Sequence, residues 1–475
     1  MSAARRIAKN STFQAVAFAA EGLTEFILTL ALARLAGVEE LGQFSTLIIL
    51  ASLFAFISAF GLPSLLTREI SRVRDDRGQI ARIVNAAVGL VAVLSTIAAL
   101  AMLVVGVASG YPTPLLRALI LTAIALGLQS IAMVVSAAFR GIEALERSSA
   151  VTAVMEIAFM LLALAAILLD ARIDGLMAMY VASRLAALVL AVAFYQARFG
   201  RLWPAFDRTS WRTLLSKGFP FSVNSIFSFT YSRADVVILS FLAGNVAVGF
   251  YVAAYSLTMR MNVIARTLTF ALYPFLSLQF VKDTRSMLAY TSKGLYYLII
   301  AGLLIATMLW MFGNELLLSL YGEAFADAAA ALRLLAFAVP LRFIETMLAT
   351  ALDASNRSGM RAMAVAVTGV ANCSLNLILI PTYQVMGAVY ATLASEAIIC
   401  AVFIWCLRDV AREIMDWRSL VGPGLGTALI VAGLMLFNGM SIWLSLTFSV
   451  LAYSMAIVVF DPSTTEPLRQ IARRR

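Results

Sequence analysis

Apolar stretches of bilayer length recur along almost the whole chain, separated by short polar connections. A membrane-crossing helix needs about 20 predominantly apolar residues. On that measure the pattern predicts fourteen spans, at 11–34, 41–66, 83–109, 115–138, 149–169, 175–197, 217–243, 246–272, 289–311, 328–352, 361–380, 385–407, 420–438 and 441–460. Three of them carry polar residues at helical spacing. Span 7 has Asn224, Ser228, Tyr231 and Asp235, span 8 has Tyr251, Tyr255, Thr258, Asn262, Arg266 and Thr269, and span 1 has Gln14, Glu21 and Glu25. Steps of three, four and seven keep each set on one helix face, so spans 1, 7 and 8 are the amphipathic ones. Arg233 and Arg260 lie about 180° from their stripes, where pairing inside a bundle competes with a role in a cavity.

Composition supports an all-α integral membrane protein. Of 475 residues, 62% are hydrophobic and 13% charged, against about 45–50% and about 25% in soluble domains; mean hydropathy is +0.92. There is no histidine, which removes histidine bases, metal ligands and pH sensors. Cys373, Cys400 and Cys406 lie in apolar runs without a motif and read as buried thiols. The N-terminal apolar stretch is too long for a signal peptide, contains Glu21 and Glu25, and reads as the first span.

The net charge of +10 matters through its placement. With the N-terminus cytoplasmic, 27 of the 36 basic residues fall on inside segments. These run from Arg5, Arg6 and Lys9, through the groups at 68–82, 140–147, 198–217, 282–293, 357–361 and 408–418, to Arg469–Arg475. Outside loops hold three, Arg34, Arg117 and Arg172, and spans hold Arg184, Arg233, Arg260, Arg266, Arg333 and Arg342. This asymmetry follows the positive-inside rule and puts both termini in the cytoplasm. It also explains the basic charge without nucleic acid.

Two weak internal matches set the architecture. LAGVEELG (35–42) and LAGNVAVG (242–249) share L-A-G-x4-G at an offset of 207 residues, and Gly175…Ser183-Arg184 matches Gly387…Ser395-Glu396 at 212. They imply parallel repeats of spans 1–6 and 7–12, related by an axis along the membrane normal. The predicted organisation is an N-lobe (1–200), a basic cytoplasmic linker (201–216), a C-lobe (217–407), and spans 13–14 with a basic tail (408–475).

No phosphate-binding glycine loop, paired acidic metal motif or nucleophile–base pair is present, so neither catalytic nor metal residues are expected. The longest outside connection, GNELLLSLYGEAFADA at about 312–327, is half apolar and too short for an external catalytic domain. Arg342 and Glu345, at i and i+3, read as a local salt bridge. Arg184 and Glu396 read either as a pair between lobes or as equivalent helix ends. Asn372 and Asn376 are expected to hydrogen-bond neighbouring helices.

The runs LGQFSTL (41–47), GLPSLLTRE (61–69), RADVVILSFLAGNVAVGFYVAAY (233–255), LYGEAFADAA (320–329) and NCSLNLILIPTYQVMGA (372–388) resemble, in order, the polysaccharide exporter and O-antigen flippase family of the multidrug/oligosaccharidyl-lipid/polysaccharide superfamily. The resemblance implies fourteen helices, two six-helix lobes forming a V and two added C-terminal helices. It also implies translocation of polyprenyl-diphosphate-linked oligosaccharide from the cytoplasmic to the outer leaflet of the inner membrane, for surface polysaccharide synthesis. Membrane lipids and glycan-assembly machinery are the implied partners. Lipid II flippases of the superfamily carry arginines on spans 1 and 8; here span 1 has none, which argues against a peptidoglycan precursor. The rival reading is a cation-coupled multidrug or small-solute exporter on the same fold.

An anionic head group crossing hydrocarbon needs a hydrated cavity with cations, for which the arginine fork is suited. The expected cavity residues are Arg266, with Arg260 and Arg233 as helpers, and Tyr231, Asn224, Tyr255 and Asn262. No bound cofactor is expected. Coupling to a proton or sodium gradient falls to carboxylates, with Glu21 and Glu25 first and Asp235 second, or these acids serve as counter-charges to buried arginines.

Overall fold

The computed structural model describes residues 22 and 24–410, and all regular structure among them is helical. After a π-helical turn, Leu32–Ala36, come α1 (Val38–Ala59), α2 (Leu62–Arg72), α3 (Arg77–Ala108), α4 (Thr113–Gly141), α5 (Leu145–Leu168) and α6 (Ile173–Phe199). Then follow α7 (Arg208–Lys282), α8 (Thr284–Tyr321), a 3-10 turn (Glu323–Ala328), α9 (Ala329–Leu335), α10 (Ala338–Ala354), α11 (Ser358–Tyr383) and α12 (Val385–Cys406). Among the described residues nine helices are long and apolar enough to cross a membrane, and a tenth span forms if the pair Glu323–Leu335 and Ala338–Ala354, bent by 46°, is counted as one. The chain is a multi-pass membrane protein. Spans 13 and 14, the basic tail, Glu21 and the first half of span 1 lie outside the described residues.

One expectation is corrected. Span 2 is not one helix: Phe60 and Gly61 adopt left-handed backbone (φ 45° and 66°) and split it into α1 and α2. Spans 7 and 8 follow one another within α7, whose two arms meet at the non-helical Gly244, between the expected bounds, and whose Ser225–Lys282 portion of 58 residues is long enough for two crossings. The segment 201–216 includes the start of α7 at Arg208. Its backbone docks on α3, with Ala205 N donating to Asn85 O (2.9 Å) and the Trp211 indole to Ala86 O (3.0 Å).

The helices pack as two compact units that divide between Gly249 and Phe250. In the first, α2, α3, α4 and α6 close around Leu62, Leu65, Ile70, Val84, Val91, Phe139 and Tyr195, and Leu214 at the start of α7 joins this core. The first arm of α7 belongs here because both its ends are held. Lys217 pairs with Glu69 (3.3 Å), and the Ser222 hydroxyl donates to Phe56 O (3.3 Å).

At the other end the two copies of L-A-G-x4-G meet. Gly37, which starts α1, and Gly244, which breaks α7, have φ/ψ of 99°/−174° and 82°/177°, a region open essentially to glycine alone. Gly42 then packs on the carbonyl of Asn245, while Gly249 packs on the carbonyl of Val38. The contact is reciprocal: each motif offers its last glycine to the backbone just after the other's first. Thr46 adds a hydrogen bond to the Asn245 side chain (3.2 Å).

The second unit packs α8 on α10, α11 on α12, and α10 on α12. Its contact surface carries the polar stripe that continues along α7.

Candidate functional site

The α7 stripe is buried by hydrogen bonds inside the second unit along most of its length. Tyr251, Tyr255, Thr258 and Thr269 are all buried. The hydroxyls of Tyr251 and Thr392 are 2.8 Å apart, and Arg342 Nη2 donates to the Tyr255 hydroxyl (3.0 Å). Tyr251 and Tyr255 therefore tie α7 to α12 and α10, while the Thr258 and Thr269 hydroxyls donate to carbonyls of α7 itself. Polar groups at bilayer depth must find internal partners, and these have them.

Arg342 does not form the expected salt bridge with Glu345. Its Nε donates to Glu396 (2.8 Å) on α12, and both side chains are buried. Arg184 is likewise committed within the first unit, to Glu156 (3.3 Å), the Gln129 side chain (3.1 Å) and Met155 O (2.8 Å), with its guanidinium 4.2 Å from the Tyr180 ring centre. Arg184 and Glu396 thus each have a partner in their own unit, and a pair between lobes is not needed to explain either. Asn372 does bond a neighbouring helix, donating to Ser395 on α12 (2.9 Å), whereas Asn376 donates back to Asn372 (3.0 Å).

The stripe's far end is different. Asn262 and Arg266 of α7, Glu345, Thr346, Ala349, Thr350 and Asp353 of α10, and Arg361 of α11 line a cavity of about 150 Å³. That is room for several waters. It lies where α10 turns into α11. Thr346 donates to Asn262 (3.3 Å), and Arg361 is tied to Asp353 by an ion pair. Arg361 Nε is buried without a hydrogen-bond partner among the described residues. The Arg266 guanidinium makes no ion pair or hydrogen bond among the described residues and is exposed to the cavity side. A cation in this state is available to an anionic ligand.

The other sequence-predicted residues lie elsewhere. Arg233 is half-buried on the first arm of α7 and pairs with Glu25 (3.5 Å). Asp235 is buried and accepts the Val236 N–H (2.9 Å). Tyr231 is half-buried on the same arm, and Arg260 is half-buried on the second. Asn224 lies in α7, also on the first arm. Glu21 lies outside the described residues. Of the predicted cavity set, Arg266 and Asn262 line the pocket and Tyr255 is one contact away through Arg342. Sequence reasoning missed Asp353, Thr350 and Arg361 as members. They sit at adjoining helix ends, where a charge reads as an ordinary interfacial one, and only the α10–α11 turn folds them toward Arg266.

Outside the spans, Glu69 at the end of α2 collects Lys217, Arg68 and Arg72 within 3.5 Å. Burial works to raise its pKa, but the hydrogen bond and charge of Lys217, with Arg68 and Arg72, outweigh this and hold it below the usual glutamate value.

Residues 7–280 match a family of polysaccharide biosynthesis proteins. A probable low-salt glycan biosynthesis flippase, Agl15, of Haloferax volcanii is 23% identical over 260 residues, covering 53% of this chain and 55% of that protein. The match thus spans about half the length of that curated relative. The fold is similar to that of a lipid II flippase, MurJ, in an inward closed conformation, with a TM-score of 0.72 at 10% identity over 96% of this chain and 99% of the other. It is also similar to an inward-facing multidrug resistance MATE family transporter of the MOP superfamily, with a TM-score of 0.61 at 14% identity over 83% of this chain and 95% of the other. The family match covers more than half of the sequence, and the all-helical fold agrees with it: the chain belongs to the polysaccharide biosynthesis protein family.

Proposed function

We propose that the protein is a flippase that carries a polyprenyl-diphosphate-linked oligosaccharide from the cytoplasmic to the outer leaflet of the inner membrane, by alternating access and without catalysis. Both termini face the cytoplasm in this reading. The observation that carries it is the exposed, uncommitted Arg266 in a polar pocket at the cytoplasmic end of the second helical unit, in a chain whose buried arginines among the described residues, Arg184 and Arg342, are paired. A diphosphate loading from the cytoplasm meets this cation first. Relatives that flip lipid-linked glycans support the substrate class. Lobes at 1–200 and 217–407, with glycan-assembly enzymes supplying and consuming the substrate, complete the proposal. For ion coupling, Asp235, buried on the first arm of α7, stands ahead of the exposed Glu25 and of Glu21.

The test is leaflet translocation in vesicles containing the purified protein and a fluorescent polyprenyl-diphosphate oligosaccharide. Protein-dependent movement is expected. Efflux of drugs with no lipid movement would overturn the proposal in favour of a small-solute exporter.

A further inference from the structure

The pocket that holds Arg266 also holds a carboxylate. Glu345 lies 3.3 Å from the Thr346 hydroxyl, whose nearest acceptor is the Arg342 carbonyl (2.8 Å), and has no cation within 4 Å among the described residues. Its neighbours are already committed. Arg342, one turn earlier on α10, is turned toward Glu396 and Tyr255, and Arg361 is bound to Asp353. The cavity therefore contains one cation and one carboxylate whose charges are both unspent, Arg266 and Glu345, on facing helices. The groups around Glu345 are Asn262 and Arg266 from α7, Arg342 and Asp353 on its own helix, Arg361 from α11, and Glu396 and Cys400 from α12.

This arrangement sets a conflict for an anionic ligand. A phosphate at Arg266 enters a cavity lined by two carboxylates, Glu345 and Asp353. Asp353 is neutralised by Arg361, and Glu345 has no such partner. Ionised Glu345 repels the phosphate and attracts the same guanidinium. Protonated Glu345 does neither, and its O–H becomes a hydrogen-bond donor to phosphate oxygen.

We propose that Glu345 and the substrate's diphosphate compete for Arg266, so that a proton binds Glu345 when the diphosphate loads. This rests on the diphosphate reading above and adds a linkage that the reading does not require. Proton and anion occupy the pocket together, and on translocation they travel in the same direction. An inward proton gradient then opposes outward movement through this pocket, so any proton-driven export uses a different carboxylate.

The experiment is calorimetric titration of the full-length protein in lipid nanodiscs with a short-chain isoprenyl diphosphate, between about pH 5.5 and 8.5, in two buffers of different ionisation heat. Wild type is expected to take up about one proton per ligand beyond the ligand's own protonation. Its affinity should fall about tenfold more steeply per pH unit than that of Glu345→Gln at the alkaline end. Glu345→Gln should match wild type in acid and bind at least about tenfold tighter in alkali. Glu345→Asp should keep the uptake, which guards against a folding defect specific to glutamine. Equal pH slopes in wild type and Glu345→Gln, or no excess uptake in wild type, overturn the linkage while leaving the diphosphate reading intact. Absence of binding to wild type at every pH overturns both.

Discussion

The reciprocal glycine contact makes a sharp packing prediction. A methyl group added at Gly42 would stand 2.6 Å from the carbonyl carbon of Asn245 and 3.1 Å from the nitrogen of Gly249. At Gly249 it would stand 2.8 Å from Val38 Cγ1 and 3.1 Å from the Val38 carbonyl carbon. Carbon atoms pack best at about 3.5–4.0 Å, so α1 and the α7 break must separate by about 1 Å in either variant. Overpacking of this kind costs about 1–3 kcal/mol. Alanine returns about 0.5–1 kcal/mol through its better helix propensity, leaving a net loss of about 0.5–2 kcal/mol. Gly359, near the start of α11, has nothing within 4 Å of an added methyl. Gly359→Ala therefore isolates the propensity gain. Reversible unfolding in mixed micelles should order the proteins as Gly359→Ala, wild type, then Gly42→Ala and Gly249→Ala nearly equal. The double variant should lose less than the sum, because the first methyl opens the gap that the second occupies. If Gly42→Ala is as stable as Gly359→Ala, or if the two losses add fully, the close reciprocal contact is refuted.

Four other outcomes follow from the geometry. In the translocation assay Arg266→Ala should lose transport and Arg266→Lys recover part of it, since lysine restores the charge without the planar fork; wild-type transport by Arg266→Ala rejects the site. Glu396→Gln, which leaves Arg342 buried without its counter-charge, should cost about 3–5 kcal/mol in unfolding, and pairing it with Arg342→Met should recover much of that loss. Asp409, just past α12, is held at about 2 by its hydrogen bond to Arg357, against 3.8 ordinarily. A lowered folded-state value stabilises above the unfolded value and is lost on acidification. Wild-type stability should therefore drop between about pH 4 and about pH 2 by a contribution that Asp409→Asn lacks. With imposed proton or sodium gradients, Asp235→Asn should lose gradient-dependent transport while Glu25→Gln keeps it; no gradient effect in wild type would leave both acids structural.

How much of this was legible in the sequence depends on what each residue's neighbours had to be. The spans were readable because hydrocarbon demands long apolar helices whatever packs beside them. The repeat was readable at L-A-G-x4-G because its glycines answer a local backbone demand, the glycine-only conformation at Gly37 and Gly244, which recurs with the motif. The break at Phe60–Gly61 was not readable. Phenylalanine carries no turn signal, and its left-handed backbone comes with α7 pressed against Gly61, where Phe221 and Ser222 approach within 2.7 Å of an added methyl. Partner choice was least legible. An i, i+3 spacing made Arg342 and Glu345 look like a pair, but Glu396 approaches Arg342 from α12, and a buried arginine follows the better enclosed carboxylate.

The two units make the same point about function. Tyr180, Arg184 and Gln129 form a hydrogen-bonded knot in the first, while Thr392, Glu396 and Arg342 stand at the corresponding places in the second, 212, 212 and 213 residues further on. The framework of each knot is shared and the charges are rearranged. The pocket is not shared. The position corresponding to Glu345, 213 residues earlier, is Ala132, which is fully buried against apolar neighbours. Duplicated bundles with matching pockets would offer a diphosphate two equivalent sites, one in each unit. A lipid-linked glycan has a single diphosphate at the junction of lipid and sugar, so one charged pocket satisfies it, and a second buried set of charges would cost stability without holding anything. Retaining the repeated helical frame while confining Arg266, Glu345 and Arg361 to one unit fits the single-diphosphate ligand proposed above.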